Sequence, residues 1–504
     1  MKKLHLALAA LLIIFLAGCA LHYARGTYFF TPGRDFQYAG VDDAYITFRY
    51  GWNLAQFGTL SWNESGFRRT EGFTNPLWVL LSAAWALAKQ KDWLYPGVTA
   101  TSVLLTGSLL FFLGKIINRK TRSSAGLAGV LLVAASPVFW LHTTSGLESG
   151  LFGAVIGILA YLGVFNDEEN PTPAWLFRLF AFTAVLLRSD GFVYLLVLTI
   201  ALLVVKNRAW KAISFGGASG LILLFGWRLW SFGQIFPNTA AAKLNFGLAD
   251  RIIPGLLALL QTLPGILILL LVGCFGLLKL PRQKQIPSVL ILAGWVAYYV
   301  YIGGDFFVER HLLGVMVFSA GLSAAFFEQI SQEKPWKFAL ATLVLAAALF
   351  MPLSYDMRFS YFKEKHPDAW ILLGKEIAKD REKYGIIVTF PAGKIPFFAG
   401  GDFIDELGLN DPYLATLKRD HFIPGHAAGS HAEAVQIARA SGKTYTTFAF
   451  SFMLTPENID DLLLWVNNIS PENGVQHEPT AAQKQILLSN RNSFEYTLIF
   501  QGEK

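Results

Sequence analysis

Long apolar stretches separated by short polar loops occupy residues 1–353. A helix that spans a bilayer needs about 20 mainly apolar residues, because the hydrocarbon offers no hydrogen-bond partner to a bare backbone amide. On that length we predict about eleven spanning helices, and their approximate bounds are 4–22, 98–117, 124–141, 147–165, 174–189, 190–206, 212–232, 257–279, 286–302, 311–328 and 337–353. The fifth and sixth are separated only by the polar group Arg188-Ser189-Asp190.

The lysines and arginines of the short loops predict the topology. They fall in every second segment, at 2–3, 115–122, 206–211, 279–284 and 334–337. Since cationic segments stay in the cytoplasm, we place these loops and the N-terminus inside. An odd number of helices then puts the C-terminus outside.

Two apolar stretches need separate treatment. Residues 77–88 are too short to span and rich in tryptophan, so we predict a helix lying in the outer interface. Residues 16–19 resemble a lipoprotein cleavage box that ends at Cys19. We interpret residues 4–22 as an uncleaved first helix, because its removal would spoil the alternation of loop charges.

Residues 354–504 have a different character, with more charge and short β-rich runs. Helical patterns at 370–383 and 432–441 alternate with strand patterns at 385–390, 445–450 and 496–500. This alternation is typical of a small α/β domain. We therefore expect a polytopic α-helical membrane domain at 1–353, with a long external loop at 23–97, and an external α/β domain at 354–504.

The composition agrees with this division. Of the 504 residues 54% are hydrophobic and 15% charged, and the mean hydropathy is +0.43. Soluble domains carry about 25% charged residues, so most of the chain lies in lipid. The net charge of +7 resides largely in the predicted cytoplasmic loops, which removes the reason to expect nucleic-acid binding. The two cysteines lie in apolar runs and provide no metal or disulfide framework.

The first external loop contains an acidic pair, Asp42 and Asp43, followed by Arg49. Asp42 suits the N-terminus of a helix, where the dipole favours negative charge, and Arg49 returns to the same helix face. Helix capping alone would explain the pair. A site becomes the better hypothesis because the other external loops also contain polar groups, namely Glu71, Asn75, Glu148, Arg188, Asp190, Asn238, Lys243, Asp305, Arg310 and His311.

Ionisable groups at helix ends in a membrane are costly and mark candidate sites, although each could also anchor a helix end. A carboxylate can act as a general base toward a hydroxyl, and arginine and lysine can hold a phosphate. The sequence contains no glycine-rich nucleotide loop, hydrolase motif or metal-ligand motif. His421, His426 and His431 are spaced by five and predict loop histidines, not a metal site. Transfer from a lipid phosphate fits these residues.

The chain resembles the membrane class C (GT-C) glycosyltransferases, in which an acidic pair follows the first transmembrane helix. The string DDAYITFRYGWNLAQFG…EGFTNPLW is similar to the family of the mycobacterial terminal arabinofuranosyltransferase. SGLE at 145–148, RSDG at 188–191, PNT, GGD and IPFFAGGDFIDELGLNDPYLA at 395–415 look like its later motifs. Ser189 and Gly51 depart from the proline and alanine common in that family, and neither change removes a reactive group.

The resemblance implies an inverting glycosyltransferase that takes a sugar, with arabinofuranose as the candidate, from a polyprenyl-phosphate donor. It implies Asp42 as catalytic base and Asp43 as supporting or alternative carboxylate. The candidate phosphate ligands are Arg188, Lys243 and Arg310. The candidate sugar or acceptor ligands are Arg49, Glu71, Asn75, Glu148, Asp190, Asn238, Asp305 and His311.

The implied acceptor is a glycan or glycoprotein of the cell envelope, at the outer face of a bacterial inner membrane. The residues leave the need for a divalent cation and the oligomeric state open. Two other functions remain: a lipid or polysaccharide transporter or flippase, and a non-catalytic envelope-assembly protein that keeps the fold. A transporter should carry ionisable groups through the midplane, whereas the polar groups here concentrate at one face.

Overall fold

The computed structural model describes most of the helical region and part of the C-terminal region. The described residues are 2–26, 39–121, 123–167, 171–240, 247–305, 307–333, 335–349, 368–417, 422–423, 426–427, 431–451, 474–476 and 496–502. Lys243 and His421 lie outside them. The side chains of His426 and His431 are also outside the description.

The helical region consists of α-helices joined by short connections. In chain order they are α1 (Lys2–Arg25), α2 (Asp42–Phe57), α3 (Pro76–Ala86), α4 (Leu94–Thr121), α5 (Ala128–Ala134), α6 (Pro137–Thr144), α7 (Ser149–Val164), α8 (Ala174–Leu187), α9 (Gly191–Val204), α10 (Ala209–Phe232), α11 (Leu248–Leu277), α12 (Arg282–Tyr301), α13 (Leu313–Leu322), α14 (Ala324–Glu333) and α15 (Pro335–Ala348). A helix therefore occupies each apolar stretch that the sequence pattern selects, including α3 at the predicted interfacial stretch.

Fewer of these helices than expected are long enough to span a membrane. Among the described residues, five are long and apolar enough to cross a membrane, and these are Leu4–Arg25, Lys91–Thr121, Ala209–Phe232, Leu248–Leu277 and Glu309–Glu333. The pair Ser124–Ala134 and Pro137–Thr144, bent by 58°, makes a sixth if it counts as one span. The prediction of about eleven spans is not confirmed, because several windows form apolar helices of only 10–17 residues.

Small residues let the central helices approach closely. A side chain at Gly153 or Gly157 of α7 would collide with Leu313 or Val317 of α13, at 2.5 and 2.7 Å from their Cβ atoms. Every residue of α7 and of α13 is buried. Close backbone approach through small residues is the usual way in which helices associate in lipid. These two helices therefore form the centre of the bundle.

The C-terminal region contains the helices α16 (Ala369–Lys379), α17 (Lys394–Ala399) and α18 (His431–Ala440). Its strands are β1 (Ile386–Thr389), β2 (Phe403–Asp405), β3 (Phe422–Ile423), β4 (His426–Ala427), β5 (Tyr445–Ser451), β6 (Gly474–Gln476) and β7 (Tyr496–Gly502). Five strands form one sheet in the order β2-β1-β5-β7-β6, and β3 pairs with β4. β1 is parallel to both β2 and β5, whereas β7 is antiparallel to β5 and β6.

Candidate functional site at the polar end of the helical bundle

The start of α2 is fixed against the connection between α6 and α7. The amide of Val41 donates to the carbonyl of Ser145 at 3.0 Å. Gly146 has φ +85°, and a Cβ there would lie 2.9 Å from the Cβ of Ala44. Glycine is therefore required both for the turn and for the close approach. This contact brings the acidic pair beside the SGLE segment, as the site hypothesis requires.

A group of charged side chains lies next to this contact, and we call it the polar cluster. Its members are Glu148, Arg188, Asp190, Asp305, Arg310 and His311. Arg188 donates to Glu148 at 3.0 Å and to both carboxylate oxygens of Asp190 at 3.0 Å. Arg310 donates to Asp305 at 2.6 Å, and His311 lies 3.2 Å from the same oxygen. The structure thus brings together six residues from three different loops that the sequence proposed separately.

The two arginines of the polar cluster differ in what they offer to a ligand. Arg188 is 5% exposed and contacts three groups, since its Nη2 also lies 3.4 Å from His311. Arg310 is bound through Nη2 to Asp305, whereas its Nε is buried without a hydrogen-bond partner among the described residues. A buried guanidinium with an unused N–H is suited to an anionic ligand. Arg188 instead organises the carboxylates around it.

Asn75 joins the first loop to the polar cluster. Its Nδ2 donates to Glu148 at 2.6 Å, and its Oδ1 accepts from the hydroxyl of Thr47 at 3.1 Å. Asn75 also precedes α3, whose first residue is a proline at the favoured first helical position. Asn75 therefore lies next to Glu148 of the polar cluster. The polar atoms of both side chains already have partners, because Glu148 also accepts from Arg188 and Asn75 also accepts from Thr47.

Glu71 forms a buried ion pair with Arg228 of α10. The Nε atom of Arg228 lies 3.0 and 2.8 Å from the two oxygens of Glu71, and Nη2 lies 2.9 Å from Oε1. Nη2 also donates to the hydroxyl of Ser189 at 2.5 Å. Burial raises the pKa of Glu71, and the guanidinium opposes this shift. The pair ties the first loop to α10 and, through Ser189, to the connection between α8 and α9, so these contacts give Glu71 a structural role.

Asn238 lies between the first loop and the C-terminal region. Its amide donates to the carbonyl of Glu71 at 3.0 Å, and its Nδ2 donates to the carbonyl of Asp411 at 2.9 Å. Asp411 accepts from the guanidinium of Arg68, with Nη2 at 2.8 Å. Asn238 therefore joins the first loop to the C-terminal region. Lys243, predicted to follow it in the site, lies outside the described residues.

Arg49 is buried in the interface between α2 and the C-terminal region. Its Nε donates to the carbonyl of Trp62 at 2.5 Å, and its Nη atoms donate to the carbonyls of Pro396 and Gly401. The guanidinium carbon lies 5.0 Å from the ring of Trp62 and 5.1 Å from that of Phe403. All three nitrogens donate to main-chain carbonyls, so Arg49 holds the C-terminal region against the first loop.

The carboxylate of Asp42 reaches the start of α17. Oδ2 accepts from the amide of Gly393 at 3.0 Å, and Oδ1 accepts from the amide of Lys394 at 2.7 Å. Burial raises the pKa of Asp42 to about 7, while the two amides and the ammonium of Lys394 act in the opposite direction. A carboxylate with this pKa is suited to accept a proton near neutral pH.

The charge of Asp43 interacts with the polar cluster. Its charge acts on the guanidinium of Arg310, together with the charges of Asp305, Arg188 and Glu148. The charges of Asp42 and Asp43 also act on each other. The two carboxylates therefore differ in their surroundings: Asp42 contacts the C-terminal region, whereas the charge of Asp43 acts on Arg310.

Sequence reasoning missed two buried arginines. Arg228 lies inside the predicted span 212–232, where an ionisable residue is itself a signal. Arg251 lies near the start of α11, which begins at Leu248 rather than at the predicted 257. Arg251 is 7% exposed, its Nε and Nη1 have no partner among the described residues, and its guanidinium carbon lies 4.8 Å from the ring of Tyr301.

The described part of the chain contains no group of three or more histidine, cysteine, aspartate or glutamate side chains that could hold a metal ion. The polar cluster has three carboxylates, and each is paired with an arginine in a direct contact: Glu148 and Asp190 with Arg188, and Asp305 with Arg310. Its chemistry is therefore that of hydrogen bonding and charge. An anionic ligand and a hydroxyl acceptor are the partners that these side chains could hold.

Comparison with known proteins gives structural matches and no sequence match. Neither family models nor curated proteins match the chain. ArnT from Cupriavidus metallidurans matches with a TM-score of 0.52 in the apo state, and with 0.56 in the structure bound to undecaprenyl phosphate. Each match has 10% sequence identity and covers 99% of this chain and 98% of ArnT.

A further match is the oligosaccharyltransferase of Archaeoglobus fulgidus tethered with an acceptor peptide that contains the NVT sequon. It has a TM-score of 0.53 and 12% identity, and it covers 93% of this chain and 72% of that protein. The chain therefore shares its fold with ArnT and with this oligosaccharyltransferase.

Proposed function

We propose that the protein is a membrane glycosyltransferase that moves a sugar from a polyprenyl-phosphate donor to a glycan or glycoprotein of the cell envelope. The observation that carries this proposal is the polar cluster beside the acidic pair, at one end of a bundle with the GT-C fold. ArnT, which has this fold, has been solved with undecaprenyl phosphate bound, which supports a lipid-phosphate donor. The resemblance of the acidic string supports arabinofuranose as the sugar.

The reaction follows from the side chains present. A carboxylate of the acidic pair, with Asp42 in the lead, takes the proton of the acceptor hydroxyl. The hydroxyl oxygen forms the new bond to the anomeric carbon. The bond from that carbon to the phosphate oxygen breaks, and polyprenyl phosphate leaves with the electron pair. Attack on the face opposite to the phosphate inverts the configuration.

Charge on the leaving phosphate must be stabilised as the bond breaks. Arg310 offers its unused Nε, and Arg251, near the start of α11, offers two unused nitrogens. Arg188 is proposed to hold the carboxylates in place and to add its charge to the phosphate site. Lys243 is proposed as a further phosphate ligand. Preorganised donors of this kind contribute about 10²–10³-fold each to the rate.

We also propose an orientation in the membrane. The polar end of the bundle and the C-terminal region, proposed as an α/β domain over residues 354–504, face the outside of a bacterial inner membrane. The cationic loops at the other end support this orientation. The membrane domain over residues 1–353 carries the donor, and the acceptor reaches it from outside. Asp190, Asp305 and His311 are proposed to line the site where the sugar lies.

A transfer assay tests the function directly. Purified protein in detergent is incubated with radiolabelled polyprenyl-phosphate sugars and envelope glycan acceptors, and labelled glycan is separated from lipid. We expect label in the glycan with at least one donor, and loss of this transfer in Asp42→Asn and in Arg310→Gln. Movement of the intact labelled lipid across a vesicle membrane, without any new glycosidic bond, would indicate a flippase instead.

A further inference from the structure

We propose that the C-terminal region is part of the catalytic site, because the main-chain amides of Gly393 and Lys394 hold the carboxylate of Asp42 in its reactive position. This inference rests on the proposed function and deepens it. Gly393 and Lys394 are positioning residues in this account, since they act on Asp42 and not on the substrate. The consequence is that catalysis requires the C-terminal region to be docked.

The contact has the geometry of a two-point clamp. Each oxygen of Asp42 accepts one amide, at 3.0 Å from Gly393 and 2.7 Å from Lys394. Two donors on two oxygens fix the plane of the carboxylate, which one hydrogen bond would not. An ionised carboxylate has about four lone-pair sites. The clamp occupies two of them and leaves the others for an acceptor hydroxyl.

The clamp is held in turn by the interface between the first loop and the C-terminal region. Lys394 donates through Nζ to Asp368 at 2.7 Å, which fixes the start of α17 to the start of α16. Arg49 binds the carbonyl of Pro396, within α17, and that of Gly401, just after α17 ends. The two residues of the clamp, Gly393 and Lys394, lie 351 and 352 positions after Asp42 in the chain. The position of Asp42 thus depends on contacts between distant parts of the chain.

The charges around Asp42 agree with this role. Lys394, Asp43 and the two amides act on its pKa, and Tyr45 on the next turn senses its charge. Burial raises the pKa of Asp42 to about 7, and the amides prevent a still larger rise by stabilising the charged form. Loss of the clamp would therefore raise this pKa further and leave less of the base in its reactive, ionised state at neutral pH.

Gly393→Ala is the direct test. A Cβ at position 393 would lie 1.9 Å from the carbonyl oxygen of Asp42 and 2.6 Å from its carbonyl carbon, so the clamp must move away. Gly393 has φ −103°, so the substitution adds the collision without demanding a left-handed backbone. Gly226→Ala is the matched control, because a Cβ there meets no atom within 4 Å.

Transfer by both variants and by wild type is measured as kcat, KM for the donor, and the pH dependence of kcat/KM. Gly393→Ala should lower kcat about 100-fold, since a displacement of about 1 Å costs that much. It should leave the donor KM nearly unchanged and shift the acid limb of the pH profile to higher pH. Gly226→Ala should match wild type. A role in folding alone would not move the pH profile.

A second variant decides the matter if Gly393→Ala does not fold. Arg49→Lys loosens the docking of α17 through different atoms, and it should lower kcat and shift the acid limb in the same direction. Wild-type kcat and pH profile in a folded Gly393→Ala or in Arg49→Lys would overturn the inference while leaving the proposed function intact. An inert wild-type protein would instead contradict the proposed function.

Discussion

The ion pair between Glu71 and Arg228 offers a quantitative test of how the first loop is held. Both side chains are almost completely buried, at 3% and 2% exposed. Charges about 4 Å apart attract by about 4 kcal/mol at an effective dielectric constant of about 20. Removing one partner leaves the other charge buried and uncompensated, which costs about 3–5 kcal/mol. Arg228→Met and Glu71→Met should therefore each destabilise the protein strongly.

The double variant Glu71→Met/Arg228→Met is the informative control, because replacing both charges by apolar groups is often neutral or stabilising. Thermal unfolding of all four proteins is followed by tryptophan fluorescence in one detergent. We expect both single variants to unfold well below wild type and the double variant to recover most of the loss. Single variants as stable as wild type, or a double variant worse than either, would refute the reasoning. Loss of transfer in a stable double variant would show that the pair has a role in the reaction beyond stability.

Three further outcomes follow from the site. Arg188→Gln should lower kcat/KM for the donor by about 100-fold or more, measured by donor titration, and an unchanged value would remove Arg188 from the site. Arg251→Gln should raise the donor KM about tenfold, the loss of one charged hydrogen bond, with kcat nearly constant; equal KM values would count against a phosphate contact. Burial raises the pKa of Asp405 to about 7, so the folded state retains a proton that the unfolded state releases near pH 4. The contribution of Asp405 to stability should therefore be fully present below about pH 4, fall until about pH 7 and then level off. Asp405→Asn should reduce this pH dependence in unfolding experiments at several pH values, and the part that remains belongs to other groups such as Asp42, whose pKa is raised in the same way.

The positions of the helices were predictable because each apolar run of sufficient length has one favourable structure in lipid. Windows such as 98–117 and 212–232 are contained in α4 and α10. The number of spans was not predictable in the same way. Pro137 starts a new helix at a 58° bend. Arg188 separates the end of α8 from the start of α9, and each of these helices is shorter than a membrane span. Local polar residues and prolines set these ends, and a hydropathy window averages over them.

The members of the polar cluster were predictable as a set, since charges are rare at helix ends in a membrane. Their partners were not. Nothing in the spacing shows that Glu71 pairs with Arg228, 157 positions away, or that Asp42 accepts amides from residues 393 and 394. Main-chain amides carry no signature in the sequence at all. Arg251 escapes sequence reasoning because the apolar window of its helix begins at 257, whereas the helix itself begins at Leu248.

The central claim is that this chain breaks the bond between a sugar and a polyprenyl phosphate with an aspartate as base. Its most direct test is the release of polyprenyl phosphate in a single turnover, by wild type and Asp42→Asn, with donor binding measured in the same samples. We predict release coupled to glycan labelling by wild type, and a variant that binds the donor but releases none. No release by wild type with any polyprenyl-phosphate sugar and acceptor, or equal release by the variant, would contradict the account.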